Sequence, residues 1–504
     1  MTTKNMEVTY LEFYSGIGGW SYALEEAERN IHDKLRVENT GEKQSGYDDE
    51  RPCMKFRRLA AFDHSDAANM VLSHNDRLNS RLCGLEERNG SARKDKSIAK
   101  KLRPTNLRKE KRKRERQKGV PASDDDEGFR INSFEIERLS QKQLSSEKYH
   151  ADIWCASPPC QPHTRNNEAQ TDDADPRSKS FLHLCRLLCE IDESFRPKVI
   201  LIENVVGFEF SNCCKVFRVV LAHCGYRAFH FHLNPTQVHI PNDRPRYYCV
   251  AVLEKIAESR SSFTAASSLS FDQPSKILTV PNLKETICAW VEGNTSISNV
   301  IKMQIPPCHA VKDIPMQHSE YGLPTIPSLN DYFSKCGLRW NESGEAFAKS
   351  LLRVPTKLLR SNASWCFDIV NIEDTRSSCF THGYGKFIRG TGSILYDAKV
   401  NNEIKEKIQL IHPSKREFNA DWKHGLDFEQ NLRYFSGLEI ACLMGFPLQN
   451  NQGRKTFEFP TFVSNKKQWQ LLGNSLNVRV ASKLCELGLS FVFGNIASAD
   501  YQLV

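Results

Sequence analysis

The tetrapeptide Pro158-Pro159-Cys160-Gln161 is the part of this 504-residue sequence that most directly suggests chemistry. It follows an apolar stretch, residues 151–157, that is typical of a buried strand ending in a turn. Because the two prolines fix the backbone and donate no hydrogen bond to a neighbouring strand, the thiol is displayed on a stiff loop. A thiolate in a polar cleft is a strong nucleophile, whereas a core cysteine serves only as a small hydrophobic side chain. The loop alone leaves both interpretations open.

Three charged side chains lie at the ends of two other predicted strands. They are expected to reach the crevice at the strand ends where Cys160 would lie. Glu203 ends a very apolar strand predicted over 198–203. Partial burial there would raise its pKa, so that the carboxyl group can share or donate a proton. Arg244 and Arg246 are two residues apart, hence on one side of an extended segment, and paired guanidiniums suit a phosphate or the polar edge of a base. In an open α/β sheet, chemistry collects beyond the carboxyl ends of the strands.

A glycine-rich turn, Ser15–Gly19, lies between a predicted strand at 8–14 and a predicted helix at 20–27. This order lets the backbone approach a nucleotide-like ligand, although ordinary strand-to-helix turns also use glycine. Asp63 closes the next predicted strand, 58–62, where an acid can hydrogen-bond both hydroxyls of a ribose. Because the turn lacks the spacing of a phosphate loop, we expect an adenosine-type cofactor without a diphosphate.

The elements that must position these groups alternate between strand and helix. Further strands are predicted at 151–157, 198–203 and 246–253, and further helices at 67–74, 181–191 and 216–222. This alternation predicts an α/β fold with a mostly parallel, doubly wound sheet. The pattern becomes irregular after residue 254. We therefore expect one domain over 1–255, a smaller irregular domain over 256–430, and a C-terminal segment, 431–504, that returns to the first.

Composition bounds the class of protein. No stretch approaches the roughly 18 consecutive apolar residues of a membrane span. The start of the chain is polar, so we expect an intracellular protein with no membrane association. Seventeen cysteines in such a protein indicate free thiols. None has the paired Cys and His spacing of a zinc site, so we expect no structural metal.

The positive charge of the chain is concentrated in one segment. Between Arg93 and Lys118, fourteen Lys or Arg stand against three acids, which gives this segment +11 while the whole chain carries +8. It has no apolar periodicity and an acidic run, 124–127, follows it, so residues 77–127 are predicted to be a disordered insertion. An RNA-binding arm, a nuclear-import signal, a solvated loop and an unremoved intron all agree with this composition.

Taken in order, the motifs resemble those of the cytosine-5 methyltransferases of the DNA-methylating type. Tyr14–Trp20 resembles their cofactor motif, Ser157–Gln161 their nucleophile loop and Glu203–Val205 their Glu-Asn-Val motif. Asn242–Arg246 resembles the Gln-x-Arg-x-Arg motif, with Asn in the Gln place. Gly473–Asn477 is similar to the C-terminal motif that completes the cofactor pocket. Five motifs in one order are highly specific.

Within this superfamily the chain is similar to the tRNA-aspartate methyltransferases, the small eukaryotic branch. The diagnostic residues are Cys379–Gly385 and Gly390–Ser393, supported by Leu432–Phe435 and Gly445–Pro447. The resemblance covers roughly residues 6–75, 128–255 and 360–490. It implies a Rossmann-like S-adenosylmethionine-dependent methyltransferase fold, in which 1–255 is the catalytic domain and 256–430 the target-recognition domain.

The resemblance also implies a reaction and a set of site residues. The reaction is cytosine-5 methylation of tRNA, at cytosine 38 of the anticodon loop of tRNA-Asp. Cys160 would add to C6 of the base, Glu203 would hold N3 and the exocyclic amine, and Arg244 and Arg246 would position the base and a neighbouring phosphate. The implied cofactor contacts are Tyr14, Ile17, Gly18, Gly19, Asp63, Phe134, Glu135, Ser157, Asn474 and Ser475, and the implied substrate contacts are Asn204, Asn242, Cys379, Phe380 and Thr381.

Two other functions agree with the same residues. A DNA cytosine-5 methyltransferase would use identical chemistry, and a non-catalytic nucleic-acid-binding protein could retain the fold. Intact Cys160, Glu203, Arg244 and Arg246 speak against the second. A base leaves its stack most easily in a single-stranded loop, and no attached DNA-reading domain is evident, so tRNA is the favoured substrate. We expect the protein in the cytoplasm, the nucleus or both.

Overall fold

The computed structural model describes residues 6–38, 54–82, 131–132, 135–159, 175–258, 282–301, 312–313, 325–338, 351–398, 428–448 and 456–493. The described strands are β1 (Met6–Phe13), β2 (Met54–Phe62), β3 (Ile131–Asn132), β4 (Ile153–Ala156), β5 (Val199–Val205), β6 (Tyr226–Leu233), β7 (Arg246–Leu253), β8 (Lys312–Asp313), β9 (Asp368–Asn371), β10 (Ser393–Tyr396) and β11 (Leu432–Arg433).

The described α-helices are α1 (Gly19–Glu38), α2 (Asp66–Leu82), α3 (Gln141–Leu144), α4 (Lys179–Glu190), α5 (Asn212–His223), α6 (Glu254–Glu258), α7 (Leu283–Val291), α8 (Ile297–Ile301), α9 (Leu329–Lys335), α10 (Thr356–Leu359), α11 (Phe428–Asn431), α12 (Gly437–Leu443), α13 (Asn465–Gly473) and α14 (Val478–Phe493). None of these helices is long and apolar enough to cross a membrane.

Strands β1 to β8 form one sheet in the order β3-β2-β1-β4-β5-β7-β6-β8. Neighbours from β3 through β5 are parallel, while β7 lies antiparallel between β5 and β6. The carboxyl ends of β1, β2, β4 and β5 therefore meet at one edge, where the amino end of β7 joins them. The predicted α/β fold with a mostly parallel sheet is confirmed.

The sheet is covered on both faces, which explains its apolar strands. In β5, Val199 and Leu201 enter one hydrophobic cluster together with α1 and α14. Ile200 and Ile202 enter a second cluster, built with α4 and α5 on the other face. Because successive strand residues point to opposite faces, every residue of this strand's apolar run is buried. The last helix, α14, packs along α1 and β7.

The predicted domain boundary at residue 256 is too early. Ile287 and Trp290 of α7 and Val300 of α8 are buried in the cluster that contains α4 and α5. Strand β8 pairs with β6 and forms the last strand of the large sheet. The described parts of 282–313 thus belong to the catalytic sheet and its helices. Their short amphipathic helices gave no signal strong enough to assign them from sequence.

The predicted start of the insertion at residue 77 is also wrong. Helix α2 continues to Leu82, and Asn79 lies on its buried side. The Asn79 Nδ2 atom donates to the carbonyl of Thr456 (3.1 Å), and the Thr456 amide donates back to Oδ1 (2.8 Å). A partner 377 residues away in sequence therefore extends the helix beyond its apolar pattern. The remainder of the predicted insertion, 83–127, lies outside the described residues.

A smaller sheet of β9, β10 and β11 stands apart from the first. Its buried charge is Arg433, which donates to Asp397 (3.0 Å) and to Glu439 (2.7 Å). Glu439 also caps helix α12 through a reciprocal capping box with Ser436. Arg433 is 1% exposed, and an unpaired charge at such a depth would be costly. The two carboxylates balance this charge. The ion pair between Arg433 and Glu439 fixes the smaller sheet to helix α12.

Candidate active site

The turn after β1 is closed so tightly that only glycine fits at two positions. Gly18 has φ +88°, and a Cβ there would lie 2.6 Å from Leu72. A Cβ on Gly19 would lie 2.8 Å from Leu476, which brings the C-terminal segment directly over the turn. By contrast, a Cβ on Gly16 would meet nothing within 4 Å. The turn therefore has one packed side and one open side.

Asp63, at the end of β2, binds this turn. One carboxylate oxygen accepts the amide hydrogen of Gly16 (2.8 Å) and the other accepts that of Ser65 (2.7 Å). The side chain is only 11% exposed. Each oxygen retains a free lone pair, so the carboxylate can still accept a hydroxyl from a ligand beside Gly16.

A buried acid beneath the turn was missed by sequence reasoning. Glu12, fully buried in β1, accepts hydrogen bonds from the Trp20 amide (3.1 Å) and from Ser21 Oγ (2.6 Å). Arg58 of β2 lies 3.8 Å from this carboxylate. Burial raises the pKa of Glu12, with Arg58 opposing the rise. A charged residue inside the apolar run of β1 was the signal that could have identified it.

The ends of β4, β5 and β7 bring three polar side chains together. Glu203 ends the apolar run of β5, and Arg246 Nε lies 3.5 Å from its carboxylate. Ser157, just after β4, accepts a hydrogen bond from Trp20 Nε1 at 3.1 Å. Burial raises the pKa of Glu203, although Arg246, Arg244 and Ser157 oppose this rise. A buried carboxyl with a raised pKa is suited to donating a proton.

Asn204 holds the loop that leads to Cys160. Its Nδ2 atom donates to the carbonyl of Pro158 (3.4 Å), and its Oδ1 atom accepts the Val205 amide hydrogen (2.8 Å). The residue is 1% exposed, and these two hydrogen bonds make it a positioning residue for the loop; its contact with substrate stays a prediction. Cys160 itself lies outside the described residues. The structure places Pro158, two residues before it, beside the Glu203 strand end.

Arg244 joins its own strand end to two distant segments of the chain. Its Nη1 atom donates to the Phe380 carbonyl (2.7 Å) and to Cys379 Sγ (3.2 Å). Its Nη2 atom donates to the carbonyls of Ser475 (2.6 Å) and Gly473 (3.1 Å). The residue is 2% exposed, so its charge is held inside the site by these contacts, and its role toward the base and a phosphate stays a prediction. The two-residue spacing of Arg244 and Arg246 predicted that both side chains lie on one side of the segment. It could not predict how deeply Arg244 is buried.

Cys379 is a second thiol within this site. Its Sγ atom lies 3.2 Å from Arg244 Nη1 and 3.5 Å from Arg246 Nη2. Burial would raise the pKa of this thiol, but the two guanidiniums outweigh burial and lower it below the ordinary value. The two cations therefore make the thiolate of Cys379 easier to form than that of an ordinary cysteine.

The other predicted substrate residues around Cys379 are mostly structural. Asn242 is fully buried and donates to Ser377 Oγ (3.1 Å) and the Ser378 carbonyl (3.0 Å). The Phe380 ring is buried among aromatic rings. Asn242 and Phe380 therefore position the segment that carries Cys379, and their contact with substrate stays a prediction. Thr381 remains partly exposed beside them.

The remaining predicted cofactor residues differ in what they offer. Tyr14 and Ile17 direct their side chains into the two hydrophobic clusters, so only their backbones line the turn. Glu135 is exposed and lies 3.3 Å from Arg138 in its own turn. Asn474 is exposed and Ser475 half-buried, both at the end of α13. Phe134 lies outside the described residues.

In the described part of the chain, no group of three or more His, Cys, Asp or Glu could hold a metal ion.

The sheet and the crevice at its strand ends define a Rossmann-like methyltransferase. A family model described as C-5 cytosine-specific DNA methylase matches residues 126–487, well over half of the chain. The protein belongs to this family of cytosine-C5 methyltransferases.

Individual relatives agree with this assignment. The chain is 33% identical over 383 residues to a mouse protein named tRNA (cytosine(38)-C(5))-methyltransferase, covering 73% of this chain and 84% of the relative. It is 31% identical over 364 residues to a Dictyostelium discoideum protein named DNA (cytosine-5)-methyltransferase, covering 71% and 81%. The crystal structure of the S. pombe Dnmt2 methyltransferase superposes with a TM-score of 0.55 at 24% identity, covering 96% of this chain and 98% of that one. That likeness supports the fold.

Proposed function

We propose that this protein methylates C5 of a cytosine in tRNA, with S-adenosylmethionine as methyl donor, at cytosine 38 of the anticodon loop of tRNA-Asp. The name of the mouse relative, which covers most of both chains, supports this substrate. The observation that carries the chemistry is the buried Glu203 beside Arg246 and the loop leading to Cys160, because a base held there meets an acid and a nucleophile together.

The proposed reaction begins at Cys160. Its thiolate adds to C6 of the cytosine, because C5 alone is a poor nucleophile. Glu203, whose pKa burial raises, donates a proton to N3 as negative charge develops on the ring. S-adenosylmethionine, when bound, supplies the methyl group that C5 takes. Loss of the C5 proton then restores the double bond and expels the cysteine.

The residues around the glycine turn fit this cofactor. Open space borders Gly16, and the Asp63 carboxylate beside it has lone pairs free for ribose hydroxyls. Leu476 closes the turn from the other side, and Ser475 places its side-chain hydroxyl next to it. Asp63 and the backbone of Tyr14–Gly19 would hold the adenosine, and no diphosphate site is needed.

Bisulfite sequencing of total tRNA, with and without the purified protein, tests the proposed function. We expect one new protected cytosine, at position 38 of tRNA-Asp, that depends on added S-adenosylmethionine. A matched reaction with duplex DNA tests the alternative substrate. Methylation of DNA is the function that the name of the Dictyostelium relative supports. Protection in DNA but in no tRNA would contradict the proposal. We further propose that the protein acts in the cytoplasm or nucleus, where its tRNA substrates occur.

Replacing Asp63 by Ala should weaken the binding of S-adenosylmethionine by roughly 10- to 150-fold. This is the range expected from losing hydrogen bonds of about 1.5–3 kcal/mol to a charged acceptor. Calorimetry with the cofactor alone measures the change. Asp192→Ala is the control, because this carboxylate is exposed and lies before β5, at the opposite edge of the sheet. An unchanged dissociation constant for Asp63→Ala would place the adenosine elsewhere.

A further inference from the structure

Two segments that border the site contain positive charges and no acids. Between Ser377 and Ser393, the charged side chains are Lys386 and Arg389. Between Phe459 and Cys485, they are Lys466, Lys467, Arg479 and Lys483. In a chain with 61 acidic residues, this exclusion of acids from both segments concentrates positive potential beside the crevice.

The two segments are packed against each other. A Cβ on Gly473 would lie 2.2 Å from the backbone of Thr381 and His382, and a Cβ on Gly385 would lie 2.4 Å from the Trp469 ring. Cations flank this contact on both segments. Lys386 follows Gly385 in sequence, and Lys466 and Lys467 lie within one helical turn of Trp469. We call Lys386, Phe387, Arg389, Lys466 and Lys467 the basic ridge.

Phe387 is an exposed aromatic ring on this ridge. Its side chain is 60% exposed, although its backbone is fixed. The Phe387 amide donates to the Gly383 carbonyl (3.0 Å), and its carbonyl accepts from Thr391 Oγ1 (2.7 Å). Lys386 Nζ lies 4.9 Å from the ring centroid. Isolated exposed apolar residues are common, but an exposed ring on an anchored backbone, next to a cation, has the chemistry of a base-stacking platform.

The ridge begins at the site itself. The Arg244 guanidinium donates to the carbonyls of Phe380 and Gly473, which are the inner ends of the two segments. Thr381, next to Phe380, is tied to Thr391 by a backbone hydrogen bond of 3.0 Å. The loop that displays Phe387 is therefore anchored to the same side chain that borders Cys379.

We propose that the basic ridge binds the unpaired nucleotides next to the target cytosine, with a base stacked on Phe387 and phosphates bound by Lys386 and Arg389. This inference rests on the proposed function, because it assumes an RNA loop as substrate. Unpaired bases in loops expose a face for stacking, whereas bases inside a duplex do not.

The first test measures the affinity of the full-length Phe387→Ala protein for a tRNA anticodon stem-loop by filter binding at three salt concentrations. We expect a dissociation constant about 5- to 150-fold higher, because the base then has no ring to stack on. The salt dependence should not change, since no charge is removed. Phe387→Tyr should bind like the wild type. The control is Leu351→Ala, which removes an apolar side chain that is 65% exposed.

The second test removes charge. The double substitution Lys386→Ala and Arg389→Ala should lower the slope of log affinity against log salt by about 0.7 for each phosphate that the protein no longer neutralises. Lys255→Ala is the control, because this lysine follows β7 at the opposite edge of the sheet and pairs with the exposed Glu193. Slopes that change equally for both proteins would contradict the binding of phosphates by Lys386 and Arg389.

The outcomes separate the ridge from the proposed function. If the wild type methylates tRNA but Phe387→Ala binds the stem-loop as tightly as the wild type, the stacking proposal is overturned and the function stands. If Phe387→Ala lowers the affinity for duplex DNA as much as the affinity for the stem-loop, the proposed stacking of unpaired bases is also overturned. If the wild type methylates no tRNA, yet Phe387→Ala selectively weakens stem-loop binding, the ridge stands and the function falls.

Discussion

Replacing Cys160 by Ala is expected to lower methyl transfer to the tRNA by more than about 10³-fold, because the nucleophile that activates C5 is then missing. The affinity for S-adenosylmethionine should not change, since the thiol bonds only to the base. Transfer of a labelled methyl group measures the first quantity, and calorimetry measures the second. Retained turnover in this variant would assign the nucleophile to another cysteine.

Cys379 is the first alternative, because two guanidiniums lower the pKa of its thiol within the same site. A tRNA that carries 5-fluorocytosine at the target separates the two thiols, since fluorine cannot leave as a proton does. The wild type and Cys379→Ala should both form a covalent adduct that survives a denaturing gel, whereas Cys160→Ala should not. An adduct that disappears only in Cys379→Ala would overturn the assignment of Cys160.

Replacing Glu203 by Gln is expected to lower kcat by about 10²- to 10⁴-fold, the usual contribution of a general acid. Glutamine keeps the size of the side chain, and its amide can face N3, but it transfers no proton. Cofactor affinity should stay within the error of the wild type. The control is Glu254→Gln, which removes a carboxylate that lies after β7 and pairs with Arg227 at 3.1 Å.

The pH dependence of kcat provides a second readout for Glu203. Burial raises its pKa, so the protonated form that donates to N3 persists above the ordinary range of a glutamate and is lost as pH rises through that raised value. The wild-type rate should therefore carry a contribution that declines with rising pH, and Glu203→Gln should lack it. Identical pH profiles for the two proteins would remove Glu203 from the proton transfer.

Local patterns in the sequence were enough to predict five of the eight strands of the large sheet and the groups at their ends, whereas β3, β6 and β8 were missed. Strand–helix alternation predicted the parallel core, because each apolar run must be buried between two layers of helices. The glycine turn, Asp63, Glu203 and the loop before Cys160 were predicted from local signals, since turn chemistry and strand ends are properties of adjacent residues. These are also the positions where the structure gathers its polar side chains.

Contacts between segments far apart in the chain set which of the predicted residues hold the crevice together. Arg244 belongs to the same motif as Arg246, yet it is buried against carbonyls 229 and 231 residues away in the chain. Asn204 reaches back 46 residues to Pro158. Helix α2 likewise extends to Leu82 because Asn79 finds a partner near the C-terminus. A buried polar group must find a hydrogen-bond partner wherever the fold supplies one, and partners so distant leave no periodic trace in the sequence.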